Sequence, residues 1–148
     1  MSYTNLLYHI VFSTKERMPR LKEEFRPRLW EYIGGIVRNM EGHLLVANGA
    51  LDHVHLACAA SPKIALAKFV QSIKGCSSKW VHETFPELRD VFWQQNYAAF
   101  TVSPSALPKL LEYIRNQEDH HRKVDFRQEF IALLKRHGIA YDERYIWG

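Results

Sequence analysis

Residues 51–59 read LDHVHLACA, a short apolar run holding two histidines, His53 and His55, one residue apart. A strand puts residues i and i+2 on one face, so both imidazoles would point the same way and could share a metal ion. Far along the chain, Tyr113 and Gln117 stand four apart, on one side of a helix. The four side chains together suit one chemistry. A tyrosine hydroxyl can attack a phosphodiester and leave a phosphotyrosine link. The phenol is a weak nucleophile at neutral pH, with an ordinary pKa near 10. A divalent ion on the phosphate oxygens supplies the charge neutralisation and alignment that the reaction needs. Two imidazoles and an amide oxygen leave positions open for phosphate and water, a mixed set that suits magnesium or manganese (Mg2+ or Mn2+). Zinc more often recruits a cysteine or a third histidine, and Cys58 falls on the opposite face of the same strand.

His-x-His alone is a weak signal, since 8 histidines in 148 residues give such pairs by chance on the order of 0.4 times. The bland reading is two strand histidines with local hydrogen bonds, a tyrosine at the rim of a core and an exposed helical glutamine. Asp52 reads as a turn cap, with a supporting bond to a histidine as its other role. The rest of the chain has to decide.

At 148 residues, 47% hydrophobic and 24% charged, the chain reads as one globular domain over 1–148 with a real core. No apolar run nears the ~20 residues of a membrane span, and the opening MSYTNLLYHIVFSTKER lacks the basic start and cleavage site of a signal peptide. Cys58 and Cys76 lie far apart and read as reduced thiols, which implies a cytoplasmic protein. A net charge of +4 and a pI near 9.1 fit a nucleic-acid partner without requiring one. Lys68, Lys74, Lys79, Arg115, Arg122 and Lys123 are the cations available for phosphates. Trp93 and Tyr97 could stack on bases, although strand aromatics more often fill a core.

The spacing predicts the elements that must carry these residues. Residues 3–14 alternate as a first strand. Leu21, Phe25, Leu29, Ile33, Ile36 and Met40 mark a helix with Pro27 near its first turn, ended by Gly42. Gly34 and Gly35 suggest close packing there. Strands follow at 43–47 and 53–59, joined by a turn around Asn48-Gly49 and Asp52. Ser61-Pro62 reads as the start of a second helix that ends at Phe85-Pro86. Residues 91–102 read as a fourth strand, 103–121 as a third helix, and Asp125 caps a fourth helix closed by Gly138. The order βαββαβ plus two helices is α+β, a ferredoxin-like antiparallel sheet with two additional C-terminal helices. Val54, Leu56 and Cys58 should face the first two helices, leaving the histidines on the other face. The apolar character of both faces calls for a second cover, for which the third helix, of this chain or a second copy, is the candidate. The aromatic tail from Ile139 onward should dock, since Tyr141, Tyr145 and Trp147 are costly in water.

At this point the chain resembles the single-tyrosine HUH transposases of the insertion-sequence-200-like type. The resemblance runs through HIVFSTKER (9–17), DHVHL (52–56), VQSIKGCSSKW (70–80), FWQQNYAAFTVS (92–103) and YIRNQEDHH (113–121). It implies an enzyme that cleaves and rejoins single-stranded DNA at element ends through a covalent 5'-phosphotyrosine, after recognising a subterminal hairpin. Tyr113 would be the nucleophile, with His53, His55 and Gln117 as metal ligands. It also implies a homodimer with composite active sites, the tyrosine helix reaching the other subunit. Asn96 stands where many relatives carry glycine. His120 and His121 read as a solvated helix end. The competing readings are a non-catalytic single-stranded nucleic-acid-binding regulator derived from such a transposase, and a small water-using nuclease in which Tyr113 is structural.

Overall fold

The computed structural model describes residues 2–147. The chain forms β1 (Leu6–Ser13), α1 (Arg26–Asn39), β2 (His43–Gly49), β3 (His53–Ala60), α2 (Leu66–Thr84) and β4 (Ala98–Thr101). Then come α3 (Leu107–Arg115), α4 (Gln117–His120) and α5 (Phe126–Arg136). The strands make one antiparallel sheet ordered β2-β3-β1-β4, the ferredoxin-like arrangement expected from the element order.

Period-2 alternation assigns the two faces. Ile10, Phe12, Val54, Leu56 and Cys58 meet Leu29, Ile33, Phe69 and Ile73 of α1 and α2 in the main core. Burial pushes the Cys58 thiol up to about 12, so it packs as an apolar group. The second face is covered by two helices, the expected α3 and, beyond expectation, α5. Val11, Ala98 and Phe100 pack against Phe126, Phe130, Leu133 and Leu134 of α5 and Ile146 of the tail. α3 lies over β2 and β3 and buries fully only Ile114. The tail docks through Tyr141, Ile146 and Trp147, whereas Tyr145 is left 67% exposed with Arg144 against its ring.

Several boundaries differ from the sequence expectation, each for a local reason. The first strand is shorter than 3–14, and the first helix opens at Arg26 with Pro27 in its first turn, where its missing N–H costs nothing. Ser61-Pro62 does not start α2. Ser61 Oγ instead accepts from Lys63 N (3.2 Å) in a turn, and the helix begins at Leu66. Only Ala98–Thr101 of the predicted 91–102 strand pairs as a strand; before it, Thr14 and Trp93 make a single bridge. Fully buried Gln94 replaces the ladder: its Oε1 accepts from Ser13 N (2.7 Å) and its amide donates to Ile146 O (2.6 Å). Asn96 likewise donates to Tyr145 O (2.5 Å) and holds the tail.

The predicted 103–121 helix is broken. Asn116, at ψ 16°, separates α3 from α4. The carbonyl of Arg115, orphaned at that end, accepts from Asn48 Nδ2 of β2 (3.0 Å). Buried Arg26 holds α4 through Glu118 (3.0 Å). Close packing is absent at Gly34 and Gly35, where an added Cβ would meet its nearest atoms at 3.6 and 3.7 Å. It occurs at Gly49, where a Cβ would stand 2.1 Å from the carbonyl oxygen of His53. Glycine at the end of β2 thus lets the chain close on the start of β3.

Candidate metal centre and active site

β3 carries His53 and His55, both fully buried on the α5 face. His53 Nδ1 lies 2.8 Å from Asp52 Oδ1. A carboxylate only accepts, so Nδ1 holds the proton and Nε2 turns inward. Asp52 therefore orients a ring, the role the sequence reading ranked second to turn capping. His55 Nδ1 lies 2.8 Å from Nε2 of His9, which stacks on it from β1. Burial, then the neighbouring imidazole His55, lowers His9 to about 3. Burial lowers His55 to about 4 against the opposing pull of Glu129. Both rings are neutral near pH 7, the form that ligates metals.

The facing half comes from the helices. Asp125 opens α5 with a capping box, accepting from Gln128 N (2.8 Å). Phe126, Phe130, Leu133 and Leu134 then recur at helical spacing against the sheet, and the Phe126 ring stacks on His53 at 4.1 Å. Glu129 belongs to that buried stripe. Its Oε1 lies 2.9 Å from His55 Nε2 and 2.9 Å from His121 Nε2. Its Oε2 accepts from the Tyr113 hydroxyl and from Gln117 Nε2 (3.0 Å), with His120 Nε2 at 3.3 Å. Burial works to raise the Glu129 carboxyl, but the bonds from His121 and His55 and the nearby imidazoles outweigh it. The group is held well below the usual carboxylate range. Burial pushes the Tyr113 phenol up, and the Glu129 carboxylate pushes it the same way, while Gln117 and Arg136 oppose. Without a further cation, Tyr113 is a poorer nucleophile than a free tyrosine.

The donor atoms fit a divalent ion. Ligand atoms of His53, His55, His121 and Glu129 all lie within 4.8 Å of one another. Glu129 takes the Gln117 amide protons, so Gln117 Oε1 faces His53 Nε2 at 3.0 Å. With a proton on Nδ1 alone, His53 Nε2 and Gln117 Oε1 are two acceptors in contact, an arrangement that a cation beside them would satisfy. Ligands held at ~2.1 Å and right angles are about 3.0 Å apart, the spacing seen here.

Of the residues singled out from the sequence, His53, His55, Tyr113 and Gln117 meet in one place within one chain. His121 corrects the sequence reading: it lies inside the cluster and not in a solvated helix end. Glu129 was missed altogether. Of the six cations, Lys68, Lys79, Arg115, Arg122 and Lys123 are exposed, and Arg122 pairs with Asp119 at 3.4 Å. Lys74 is spent internally. Its ammonium donates to the carbonyls of Gln95 and Asn96 (3.1 Å each), lies over the Phe12 and Tyr97 rings, and is lowered by burial to about 8. Trp93 and Tyr97 pack on the main core, and Trp93 donates to Ser77 Oγ (3.0 Å). No described helix is long and apolar enough to cross a membrane.

Comparison with known proteins follows the same line. The family model "Transposase IS200 like" matches residues 2–117. The ISDra2 transposase TnpA of Deinococcus radiodurans is 29% identical over 119 residues, covering 77% of this chain and 85% of that protein. The transposase for insertion sequence element IS200 of Salmonella typhimurium is 30% identical over 122 residues, covering 76% and 77%. A crystal structure of a transposase candidate from D. radiodurans R1 superposes with a TM-score of 0.66 at 28% identity, over 78% of this chain and 93% of that one. A REP-associated tyrosine transposase bound to a REP hairpin shares the fold, with a TM-score of 0.62 at 14% identity over 84% and 73%. His121 and Glu129 lie beyond the matched segment, while His53, His55, Tyr113 and Gln117 lie within it, and on that match this chain belongs to the IS200-like transposase family.

Proposed function

We propose that this chain is a metal-dependent single-stranded DNA transposase that cuts and rejoins element ends through a 5'-phosphotyrosine on Tyr113, after recognising a hairpin. The observation that carries this reading is the contact of the Tyr113 hydroxyl with Glu129 in the same buried cluster as His53 and His55. His53, His55 and Gln117 Oε1 would hold the ion from one side, and His121 and Glu129 from the other. When bound, it would supply positive charge to the non-bridging oxygens of the scissile phosphate. The nitrogen-rich donor set favours manganese over magnesium, and the third imidazole, His121, brings zinc into range. Asp52 and His9 fix the two strand imidazoles with Nε2 inward. As the Tyr113 oxygen bonds to phosphorus its proton passes by way of the Glu129 Oε2 contact to solvent, and the 3' oxygen leaves as a hydroxyl protonated from solvent.

Hairpin recognition comes to this chain from its relatives: the protein sharing the fold at 14% identity was solved with a REP hairpin. Lys68, Lys79, Arg115, Arg122 and Lys123 are its candidate phosphate contacts. A homodimer could exchange α3 between subunits and make the same contacts in trans. Mixing Tyr113→Phe with His53→Ala protein tests this, since only composite sites recover cleavage. The function itself is tested by incubating the protein with hairpin-bearing single strands and manganese or magnesium. A denaturant-resistant protein–DNA adduct is expected, absent in Tyr113→Phe. DNA binding with no adduct from the wild-type chain would give the non-catalytic regulator instead.

A further inference from the structure

Tyr113 borders two depressions of different character. One, about 710 Å3 and wide open, sets the carboxylates Glu112 and Asp119 beside Lys109 and Lys123 in its wall. The other, about 470 Å3, lies between α3 and α5 and has no acidic residue in its wall. Its walls are apolar where Phe100 and Leu110 line it and cationic where Lys109 and Arg136 line it. His137 lies flat on Phe100, at 4.0 Å and 12° between the rings, and is otherwise exposed. Burial and the charge of Arg136 lower His137, so it presents a neutral aromatic face near pH 7. The size suits one nucleotide: small-molecule pockets run from ~300 to ~1,000 Å3. Aromatic faces beside cations are the means by which proteins hold unpaired bases without reading sequence.

We propose that the α3–α5 groove binds one nucleotide of single-stranded DNA adjoining the phosphate presented to Tyr113, its base against His137 and Leu110 and its phosphate on Lys109 and Arg136. The claim rests on the transposase reading given above and adds to it a place for the strand. Charge favours the second depression, where Lys109 and Arg136 meet no carboxylate, whereas in the first Glu112 and Asp119 offset Lys109 and Lys123. Arg136 and His137 lie beyond residue 117, so half of this subsite falls in the part of the chain that the family model leaves unmatched, while Lys109 and Leu110 lie in the matched segment.

The test uses the full chain and two fluorescent probes: unpaired dT10, and a blunt hairpin with no overhang. Lys109→Ser/Arg136→Ser alters exposed residues only. It should weaken dT10 binding about tenfold at low salt and lower the salt slope by roughly 1.4, from about 0.7 per lost phosphate contact. Hairpin binding should stay unchanged. A dT10 carrying 5-iododeoxyuridine should photo-crosslink to the peptide containing His137, and His137→Ala should lose that crosslink. Unchanged dT10 affinity and salt slope in the double variant, or crosslinks confined to other surfaces, would overturn the groove assignment. If the wild-type chain crosslinks at His137 yet forms no adduct with any hairpin strand and metal, the transposase reading fails while the groove stands.

Discussion

The two halves of the candidate centre are built differently. The strand half, His53 and His55, needs only the two-residue repeat of β3 and a neighbour behind each ring, Asp52 and His9. The helix half draws Tyr113, Gln117, His121 and Glu129 from α3, α4, α5 and the turn between the last two. Each needs its own positioning device: Asn48 on the end of α3, Arg26 on α4, the Asp125 capping box on α5. The strand half is therefore set by local pattern, and the helix half by tertiary docking. The family match cuts through the helix half, since it covers the strand half with Tyr113 and Gln117 and stops at residue 117, before His121 and Glu129.

The largest expected effect is in the strand half. His55→Ala should abolish metal binding measured by calorimetry and remove adduct formation on gels, with the fold checked by circular dichroism. Retained metal stoichiometry in that variant would show that β3 is not the floor of the site. Next comes the backbone contact beneath His53. Gly49→Ala would drive a methyl against the His53 carbonyl, 2.1 Å from an ideal Cβ. It should destabilise the protein by about 1–3 kcal/mol in urea unfolding, the usual cost of overpacking. It should also lower metal affinity, whereas Gly35→Ala, with its nearest contact at 3.7 Å, should do neither.

The contrast explains what could be read in advance. The alternation of β3 and the order βαββαβ gave the sheet, its face assignment and the histidine pair, because those patterns are short-range. Tyr113 and Gln117 were found from their spacing and from resemblance, yet the helix that seemed to join them is interrupted at Asn116, where Asn48 of β2 donates to the preceding Arg115 carbonyl. Glu129 gave no signal of its own. A glutamate among Phe126, Phe130 and Leu133 looks like a helix-edge charge until α5 is seen to lie on the histidine face. The Ser61-Pro62 and 91–97 misassignments have a related cause: side chains of Ser61 and Gln94 took backbone partners that helix or sheet would otherwise have held.

Two smaller effects sharpen the comparison. Asp52→Asn keeps the shape but weakens the pull on the His53 Nδ1 proton, and should cost about 10–100-fold in metal affinity by calorimetry, the usual range for outer-sphere partners. No change would mean that Asp52 only caps the turn. Lys74, away from the centre, should affect stability alone. Its folded pKa of about 8 lies below the ordinary 10.5. The unfolded chain therefore keeps the proton longer, and native stability gains from this group as pH rises between those values. Lys74→Met should flatten that slope in thermal melts and leave DNA affinity unchanged; weaker DNA binding would return Lys74 to the phosphate contacts.

The convergence of both halves on one ion is read most directly by manganese electron spin resonance on the Tyr113→Phe protein, with all histidines labelled with nitrogen-15. One manganese per chain is expected, with imidazole nitrogen couplings that fall in number in His53→Ala and again in His121→Ala. Affinity should drop sharply in Glu129→Gln. Couplings unchanged in His121→Ala, together with undiminished affinity in Glu129→Gln, would contradict a centre closed by the C-terminal helices.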